Sequence, residues 1–515
     1  MASEKLKKEP IKNKSATVRY IFAISLTALQ LAVIITAVFL LISKIPYLRV
    51  AVYLTCLGCV VKIISSPDSP DYKVPWLLFV LIAPIIGTTC YLALYKRRLS
   101  KAYCKRLKNL QAEIYPTADE KLLATLKKQN SHALSHAKLL ISLADTHLFT
   151  NTKVDYFPLG KDMAKSLIKD IKNAKKFIYM EYFILAKGEL WQEILQILIG
   201  RAKNGVEVKI LYDDFGSMKT LPWNYFKTLE SLGLGATAFS RLCGAPDRYI
   251  NNRNHRKITV IDGKIAYTGG INIADEYVDK KRRFGEWKDG GIRLFGSAVY
   301  ELTKLFITDY GVSVKNKPNF NQNLYPTFSQ NETGFVVPFG DGPKPDYHRR
   351  VSKNLIINML SVATKRVLIT TPYLILDNEI CSAIENTAIR GVDVKIILPG
   401  IPDKKLVHTL GQSFYPRLIS AGVKIYKYDK GFIHAKNYIV DGKYALMGSI
   451  NLDYRSLAHH FENGVWLYNL NCIKQAENDI IKLLNFCTKI DRDKATFSPI
   501  KGFFISLVKI FAPLF

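Results

Sequence analysis

Two stretches of the chain carry the same reactive side chains at the same spacing. The first is His255-Arg-Lys257-Ile-Thr-Val-Ile-Asp262, followed by Gly269-Gly270-Ile-Asn272. The second is His434-Ala-Lys436-Asn-Tyr-Ile-Val-Asp441, followed by Gly448-Ser449-Ile-Asn451. Both read His-x-Lys-x4-Asp-x6-Gly-[Gly/Ser]-x-Asn without a gap. A lone His-x-Lys on a strand is ordinarily surface decoration, and Asp-Gly is ordinarily only a turn. The ungapped repetition sets these two apart.

The β-prone residues before each Asp-Gly predict a strand closing in a tight turn, and alternate side chains on a strand share a face. His255 then points with Lys257, and His434 with Lys436. Each pair offers a titratable imidazole beside a fixed cation, and the Gly-[Gly/Ser]-x-Asn tail brings up Asn272 or Asn451 as a carboxamide donor. A phosphodiester needs such a set, because its anionic oxygens repel nucleophiles until cations and donors offset the charge. Two imidazoles divide the labour. One attacks phosphorus and becomes a phosphohistidine, while the other protonates the leaving oxygen and later deprotonates the incoming alcohol or water. His255, Lys257, Asp262, His434, Lys436 and Asp441 are therefore the candidate catalytic residues. The two motif aspartates are expected to serve the turn and its surroundings more than the phosphate. Each imidazole also needs an orienting carboxylate. Aligning Trp287-Lys-Asp289-Gly-Gly-Ile-Arg-Leu294 with Phe461-Glu462-Asn-Gly-Val-Trp-Leu467 nominates Asp289 for His255 and Glu462 for His434. A lysine two residues from each histidine repels a metal ion, and no Cys/His/carboxylate spacing of metal type occurs, so no metal is expected.

These motifs sit in a repeated β/α pattern. Lys176–Ile184 reads as a strand, Leu190–Asn204 as a helix closed by Gly205, and Val206–Tyr212 as the next strand. The order recurs as Arg366–Thr371, Glu379–Arg390, Gly391 and Val392–Leu398. Gly205-Val-Glu-Val-Lys-Ile-Leu echoes Gly391-Val-Asp-Val-Lys-Ile-Ile. The expected fold class is α/β, a duplication with halves at residues 151–316 and 348–490 and one shared active site near a pseudo-two-fold axis. A Pro- and Asn-rich stretch, 317–347, links the halves, and a helical connector, 100–150, precedes them.

The 515 residues include 73 Lys+Arg against 43 Asp+Glu, a net charge of +30, which calls for an anionic partner, either nucleic acid or an acidic membrane surface. The eight cysteines are scattered, so no disulfide framework is expected and a reducing compartment is favoured. Cys56-Leu-Gly-Cys59 has redox spacing but lies in an apolar run and reads as packing. Residues 1–99 form a membrane region with three apolar runs. Ile21–Ser43 is uncharged and long enough to span. Val50–Val61 is short, and Val74–Tyr95 is interrupted by Pro84 and Gly87. Basic segments flank the region on both sides, which predicts an even number of crossings with the body of the chain in the cytoplasm. One run therefore does not cross: either the second lies shallow or the third is re-entrant. The tail, 491–515, ends in the apolar Phe503–Phe515, too short to span, and is expected to be an interfacial amphipathic helix or else to pack on the body.

With these residues in view, the chain resembles the phospholipase D superfamily and, within it, bacterial cardiolipin synthases. The resemblance covers nearly everything after residue 20. It rests on Glu181-Tyr-Phe-Ile184, Leu211-Tyr-Asp-Asp-Phe-Gly-Ser217, Arg253–Asp262, Gly269–Tyr277, Thr371-Pro-Tyr373, Asn451-Leu-Asp-Tyr-Arg-Ser456 and the C-terminal Phe-Ala-Pro-Leu-Phe515. It implies a multi-pass protein of the bacterial cell membrane that converts two phosphatidylglycerol molecules to cardiolipin and glycerol, without cofactor or nucleic acid. His255 is then the nucleophile and His434 the acid, with Lys257, Lys436, Asn272 and Asn451 holding the phosphate oxygens. A phosphodiesterase of the same superfamily, acting on lipid or nucleic acid, would use the same catalytic residues. The membrane region argues against a nuclease, and the two intact motifs argue against a non-catalytic scaffold.

Overall fold

The structure is a computed structural model. It describes residues 45–66, 68–92, 120–241, 252–314, 334–343 and 350–514, together with positions 25, 29, 30, 33, 36 and 332. Nearly all of the first apolar run, the basic segments flanking the membrane region and most of the linker lie outside the described residues. The chain divides into two compact units, Met1–Arg97 and Arg98–Phe515.

Three helices of the first unit lie within the described residues from 45 onward: α1 (Pro46–Ile64), α2 (Pro70–Ile82) and α3 (Pro84–Cys90). Each begins on a proline, whose missing N–H costs nothing in a first turn. Pro84 also ends α2. The residue before a proline is pushed out of the helical region, and Ala83 sits at φ −129°, ψ 74°. The third apolar run is thus split in two. The second run, short when counted only to its first charge, gives the one helix among the described residues that is long and apolar enough to cross a bilayer, Tyr47–Ile64. Lys62 does not stop it, since a cation in the last turn suits the helix dipole. Cys56 and Cys59 are free thiols buried with Ile63, Val80 and Tyr91, which accords with a packing role.

In the second unit the connector is helical, as α4 (Glu120–Gln129) and α5 (Ser131–Ala144). The Asn130 side chain caps α5 by accepting from Ala133 N–H at 2.8 Å. The first half contributes β1 (Thr152–Phe157), α6 (Gly160–Lys172), β2 (Phe177–Tyr182), α7 (Glu189–Lys203), β3 (Glu207–Asp213), β4 (Gly235–Phe239), β5 (Lys257–Ile261), β6 (Ile265–Gly269), β7 (Glu286–Lys288), β8 (Gly291–Gly296) and α8 (Val299–Ser313). The second contributes β9 (Phe335–Asp341), α9 (Val351–Ser361), β10 (Arg366–Thr370), α10 (Asn378–Ile389), β11 (Asp393–Pro399), α11 (Lys405–Gln412), β12 (Lys424–Tyr428), β13 (Gly431–Ile433), β14 (Asn437–Val440), β15 (Tyr444–Gly448), β16 (Glu462–Tyr468), α12 (Asn471–Leu483) and β17 (Cys487–Lys489). The C-terminal helix is α13 (Pro499–Ile510).

One sheet runs β1-β8-β6-β5-β2-β3-β4, and the other runs β9-β16-β15-β14-β10-β11-β12 with β17 added at its far edge. Strand for strand these orders are the same, so the duplication read from the sequence is a duplication of topology. In each half two crossover strands pair in parallel, β2 with β3 and β10 with β11, and the motif strand joins them antiparallel. The connector belongs spatially to the second half. His136 of α5 meets the ring edges of Tyr444 and Trp466, with centroids 5.2 and 5.8 Å away.

Both motif strands close as expected in tight turns. Asp262 and Gly263 have φ +54° and +66°, and Asp441 and Gly442 +54° and +64°. Two successive positive φ values make the hairpin turn whose twist matches the strands it joins. Each aspartate does more than turn. Asp262 accepts from the backbone N–H groups of Lys175, Lys176 and Phe177 at 2.7–2.9 Å, and Asp441 from those of Thr364, Lys365 and Arg366 at 2.8–2.9 Å. They clamp the entry to β2 and to β10. Seven residues along a strand is about 20 Å, so these carboxylates stand at the opposite end of the motif strand from the histidines. Their inclusion among the catalytic residues is corrected by this geometry. Asp441→Ala is expected to lower stability by about 2–3 kcal/mol, the scale of hydrogen bonds to a charged group, and to leave turnover per folded molecule within a few-fold. Urea melts and active-site titration check this; a specific loss of turnover at full stability would return the aspartate to the active site.

Candidate active site

His255 stands two residues before β5 and His434 three before β14, and what precedes them joins the two halves. Asn254 bridges to Phe461, while β13, which ends one residue before His434, pairs in parallel with β7, which ends one residue before Asp289. The backbone bonds are matched: His255 N–H donates to Phe461 O at 2.8 Å, and His434 N–H to Lys288 O at 2.8 Å. In both cases the next residue on the opposite half is the carboxylate. Glu462 therefore reaches His255, with Nδ1 2.9 and 3.0 Å from its two oxygens, and Asp289 reaches His434, with Nδ1 2.6 Å from Oδ2. Both acids nominated from sequence contact a motif histidine, with the partners exchanged. Superposing the repeats assigns each acid to its own half, but the pseudo-two-fold axis passes between histidine and acid, so each imidazole is served from across it.

The fit under the two acids differs. Ser449 donates its hydroxyl to Glu462 Oε2. Its counterpart is Gly270, where an added Cβ would stand 2.2 Å from Asp289 Oδ1. The shorter acid in the first half occupies space that only glycine leaves.

Both histidines are 7 % exposed, and with Nδ1 held by a carboxylate each Nε2 is left without a partner among the described residues. Burial, reinforced by the neighbouring lysine charge, lowers the pKa of both: His255 falls well below its ordinary value and His434 to about 4. Burial alone would raise the two carboxyls. The imidazole and lysine facing each outweigh it and hold both below the usual carboxylate range. The resting arrangement is thus a neutral imidazole whose Nδ1–H donates to a carboxylate and whose Nε2 lone pair is presented. Lys257 Nζ donates to His255 O at 2.6 Å, and Lys436 Nζ to His434 O. Burial draws the ammonium of Lys257 down to about 7 and that of Lys436 to about 8.

The asparagines divide. Asn272 gives its carbonyl to Ile184 N–H at 3.0 Å and donates to the Tyr277 hydroxyl at 2.7 Å, so it fixes the strand end and the aromatic facing His434. Asn451 is buried, and its Oδ1 has no hydrogen-bond partner among the described residues.

Aromatic rings wall each histidine. Tyr277 and Trp287 lie 5.3 and 5.5 Å from His434, and Phe183 lies 5.0 Å from His255. The place beside His255 that corresponds to Trp287 is taken by His460, 5.5 Å away. His460 is absent from any reading of the motif, because its counterpart in the other repeat is not a histidine. One donor atom each from His255, His460 and Glu462 lies within 4.8 Å of the others, a grouping that could hold a metal ion. The Lys257 ammonium faces the same carboxylate and competes for it. Behind β5 lies a second buried set that sequence reasoning missed. Asn254 donates to Glu181 at 2.5 Å and to Asp309 at 3.1 Å, and Arg256 pairs with Asp309. It anchors the residues on either side of His255.

The chain matches the family described as "Cardiolipin synthase, PLD-like domain" over residues 167–283 and 356–484. It is 39 % identical to an uncharacterized protein of Streptococcus mutans over 89 % of this chain and all of that one. It is 33 % identical to the cardiolipin synthase of Alkalihalophilus pseudofirmus, over 82 % and 84 % of the two chains, and 34 % identical to cardiolipin synthase 2 of Bacillus cereus, over 85 % of each. Among solved structures, the phosphatidylserine synthase of Haemophilus influenzae superposes with a TM-score of 0.58 at 17 % identity, covering 75 % of this chain and 99 % of that one, a likeness of fold.

The exchanged partners give a direct test. In double-mutant cycles on stability, Asp289→Asn with His434→Asn, and Glu462→Gln with His255→Asn, are expected to couple by at least about 1 kcal/mol. The own-half cycles, Asp289 with His255 and Glu462 with His434, are expected to couple distinctly less. The reverse ranking would restore the own-half assignment.

Proposed function

The chain belongs to the phospholipase D-like cardiolipin synthase family and is a phosphatidyltransferase, and from that premise we propose that it joins two phosphatidylglycerol molecules into cardiolipin and glycerol through a phosphohistidine. The single observation that carries the proposal is the pair of crossed histidine–carboxylate contacts, which leaves two neutral imidazoles with free Nε2 atoms beside two buried lysines.

The His255 Nε2 lone pair attacks the phosphorus of the first lipid. The bond from phosphorus to the glycerol oxygen breaks as the N–P bond forms, and His434 supplies the proton that the glycerol oxygen takes up. Lys257 and Lys436 hold the non-bridging oxygens. The anionic phosphate raises the proton affinity of the buried groups around it, which is how His434 comes to carry the proton it donates. In the second half-reaction His434 removes the proton from a headgroup hydroxyl of another phosphatidylglycerol. That oxygen attacks phosphorus, the N–P bond breaks, and His255 returns to its starting state. One phosphodiester is exchanged for another, and protons and charges balance over the cycle. Glu462 and Asp289 keep the imidazoles in the required tautomer and stabilise each while it carries positive charge. Asn451, with an unmet carboxamide oxygen, is placed to take the hydroxyl of an incoming lipid. The helix Tyr47–Ile64 anchors the protein in the membrane, with the body of the chain on the cytoplasmic side.

The test is product analysis with protein in vesicles of phosphatidylglycerol labelled in headgroup and acyl chains. Cardiolipin with free glycerol is expected; phosphatidic acid with glycerol and no cardiolipin would mean that water is the acceptor and the protein a lipid hydrolase. His255→Ala is expected to cut turnover by at least about 10³-fold and to abolish any acid-labile covalent phosphatidyl-enzyme. His434→Ala and Asp289→Asn should still form that species from a substrate whose leaving group needs no proton, such as a nitrophenyl ester. The opposite outcome would interchange the two histidines.

The lysines steepen the alkaline fall that loss of the His434 proton begins. Each is charged below its lowered pKa and neutral above it, so kcat/KM is expected to fall more steeply as pH rises through about 7 to 8. Bound phosphate favours the charged form, so the fall in kcat should lie at higher pH than the fall in kcat/KM. A kcat/KM flat to pH 9 would mean that the ammonium charges are not used.

A further inference from the structure

The C-terminal helix α13 buries little of itself. Along it only Ile505 is buried. Ile500, Phe503, Phe504, Leu507 and the following Phe511 are 75, 63, 60, 44 and 43 % exposed, and Leu406 on the neighbouring α11 is 52 % exposed. Between the two helices runs a groove of about 610 Å³, walled by Leu406, Leu410, Ile500, Phe504, Ile505 and Val508. Its volume is in the range of sites that enclose small organic ligands, about 300–1,000 Å³, but it offers almost nothing polar to hold one. Lys404, Lys405, Lys501 and Lys509 are exposed around this face, and α13 carries no acidic residue.

The face is tied to the segments that carry Asn451 and His460. At one end α11 lies against Leu374, with Gly411 so close that an added Cβ would stand 3.2 Å from its carbonyl oxygen, and Leu374 bridges to Leu452 beside Asn451. Tyr373, next to Leu374, donates to Asp403 at 2.7 Å, and Lys404 covers its ring. At the other end the turn Ala512–Leu514 packs beside the short helix Tyr454–Ala458, and Pro513 meets His459, the neighbour of the His460 that faces His255. The helix is thus pinned over the segments that form the rim of the active site, with its apolar side outward.

We propose that this face lies on an anionic phospholipid bilayer and that the groove between α11 and α13 takes one acyl chain of a lipid whose headgroup enters the active site. The inference rests on the reading of the substrate as a phospholipid. An exposed apolar helix ringed by lysines is the pattern of a helix lying in a membrane interface. A second copy of the chain is the poorer occupant, because a two-fold contact through this face would set its lysines against their own copies. Of the two roles open to the tail from sequence, it fills both: Ile505, Ala512 and Pro513 pack on the body, and the phenylalanines face outward.

The full chain, with benzoylphenylalanine placed at position 503, is irradiated in vesicles containing phosphatidylglycerol with an alkyne-tagged acyl chain. A lipid adduct several-fold above that from the same group at Ile389, an exposed apolar position on α10, is expected. An adduct no stronger than that control, or a cross-link between two copies of the chain, overturns the proposal. Separately, Leu406→Ser with Phe504→Ser is expected to raise KM for long-chain phosphatidylglycerol about tenfold and to leave turnover of a soluble dihexanoyl analogue unchanged. No change in the long-chain KM, or an equal loss with both substrates, also overturns it. The cross-link needs no turnover. Absent cardiolipin with a strong adduct therefore counts against the reaction alone, and intact synthesis without an adduct counts against the groove alone.

Discussion

Each motif imidazole takes its carboxylate from the other half of the molecule, and the rest of the structure follows from that constraint. Neither half holds a complete histidine–acid pair. The backbone bridges at Asn254 with Phe461 and between β7 and β13 are what bring the pairs together, and they form only when both halves are folded and docked. Two histidines, two lysines and two carboxylates are buried at that seam. Burying charge without partners costs several kcal/mol per ion, so the seam tolerates the cluster only because each group faces its complement. The duplication therefore survives as one body with one site.

Within that frame the two repeats have diverged where they touch the chemistry. Gly270 sits under the short Asp289, whereas Ser449 donates to the longer Glu462. Trp287 flanks His434, whereas His460 flanks His255. The two roles proposed for the histidines, covalent and proton-transferring, have different needs, and a pseudo-symmetric site can meet them by changing neighbours while keeping both histidine–lysine pairs. The set of Glu181, Asn254, Arg256 and Asp309 is hydrogen-bonded beside the first motif strand, on the side of the proposed nucleophile.

What the sequence made legible was whatever is local. The ungapped repeat announced the histidines, lysines and turns, and the recurring strand–helix–glycine pattern announced two halves of like topology. The acids could be named because they follow a recognisable Gly-rich strand, but not paired, because pairing belongs to the axis between the halves. Asp262 and Asp441 carry the motif's most regular spacing and yet bind backbone N–H groups, with the Thr364 hydroxyl added at Asp441, at the remote end of the strand. Regular spacing marks a shared fold requirement as readily as a shared reaction. His460 escaped for the opposite reason, since comparing repeats hides any residue that only one of them has. The length of α1 was underestimated because an apolar run was measured to its first charge, whereas Lys62 lies in the last turn of the helix.

The chemistry of the buried cluster also bears on how it meets its substrate. Burial lowers the pKa of both histidines and both lysines, so the empty site is less positive near neutral pH than its sequence suggests. An approaching phosphodiester supplies the negative charge that makes protonation favourable again. In the proposed reaction the site thus acquires its acid and its full cationic character only as the lipid headgroup arrives. In the second half-reaction of that proposal the covalent phosphate is itself an anion held in the site, and His434, having given up its proton, is the base. A further negative charge would protonate that imidazole and oppose the step. The choice between a lipid alcohol and water then rests on which hydroxyl is held within reach of His434, and not on the charge that the acceptor brings.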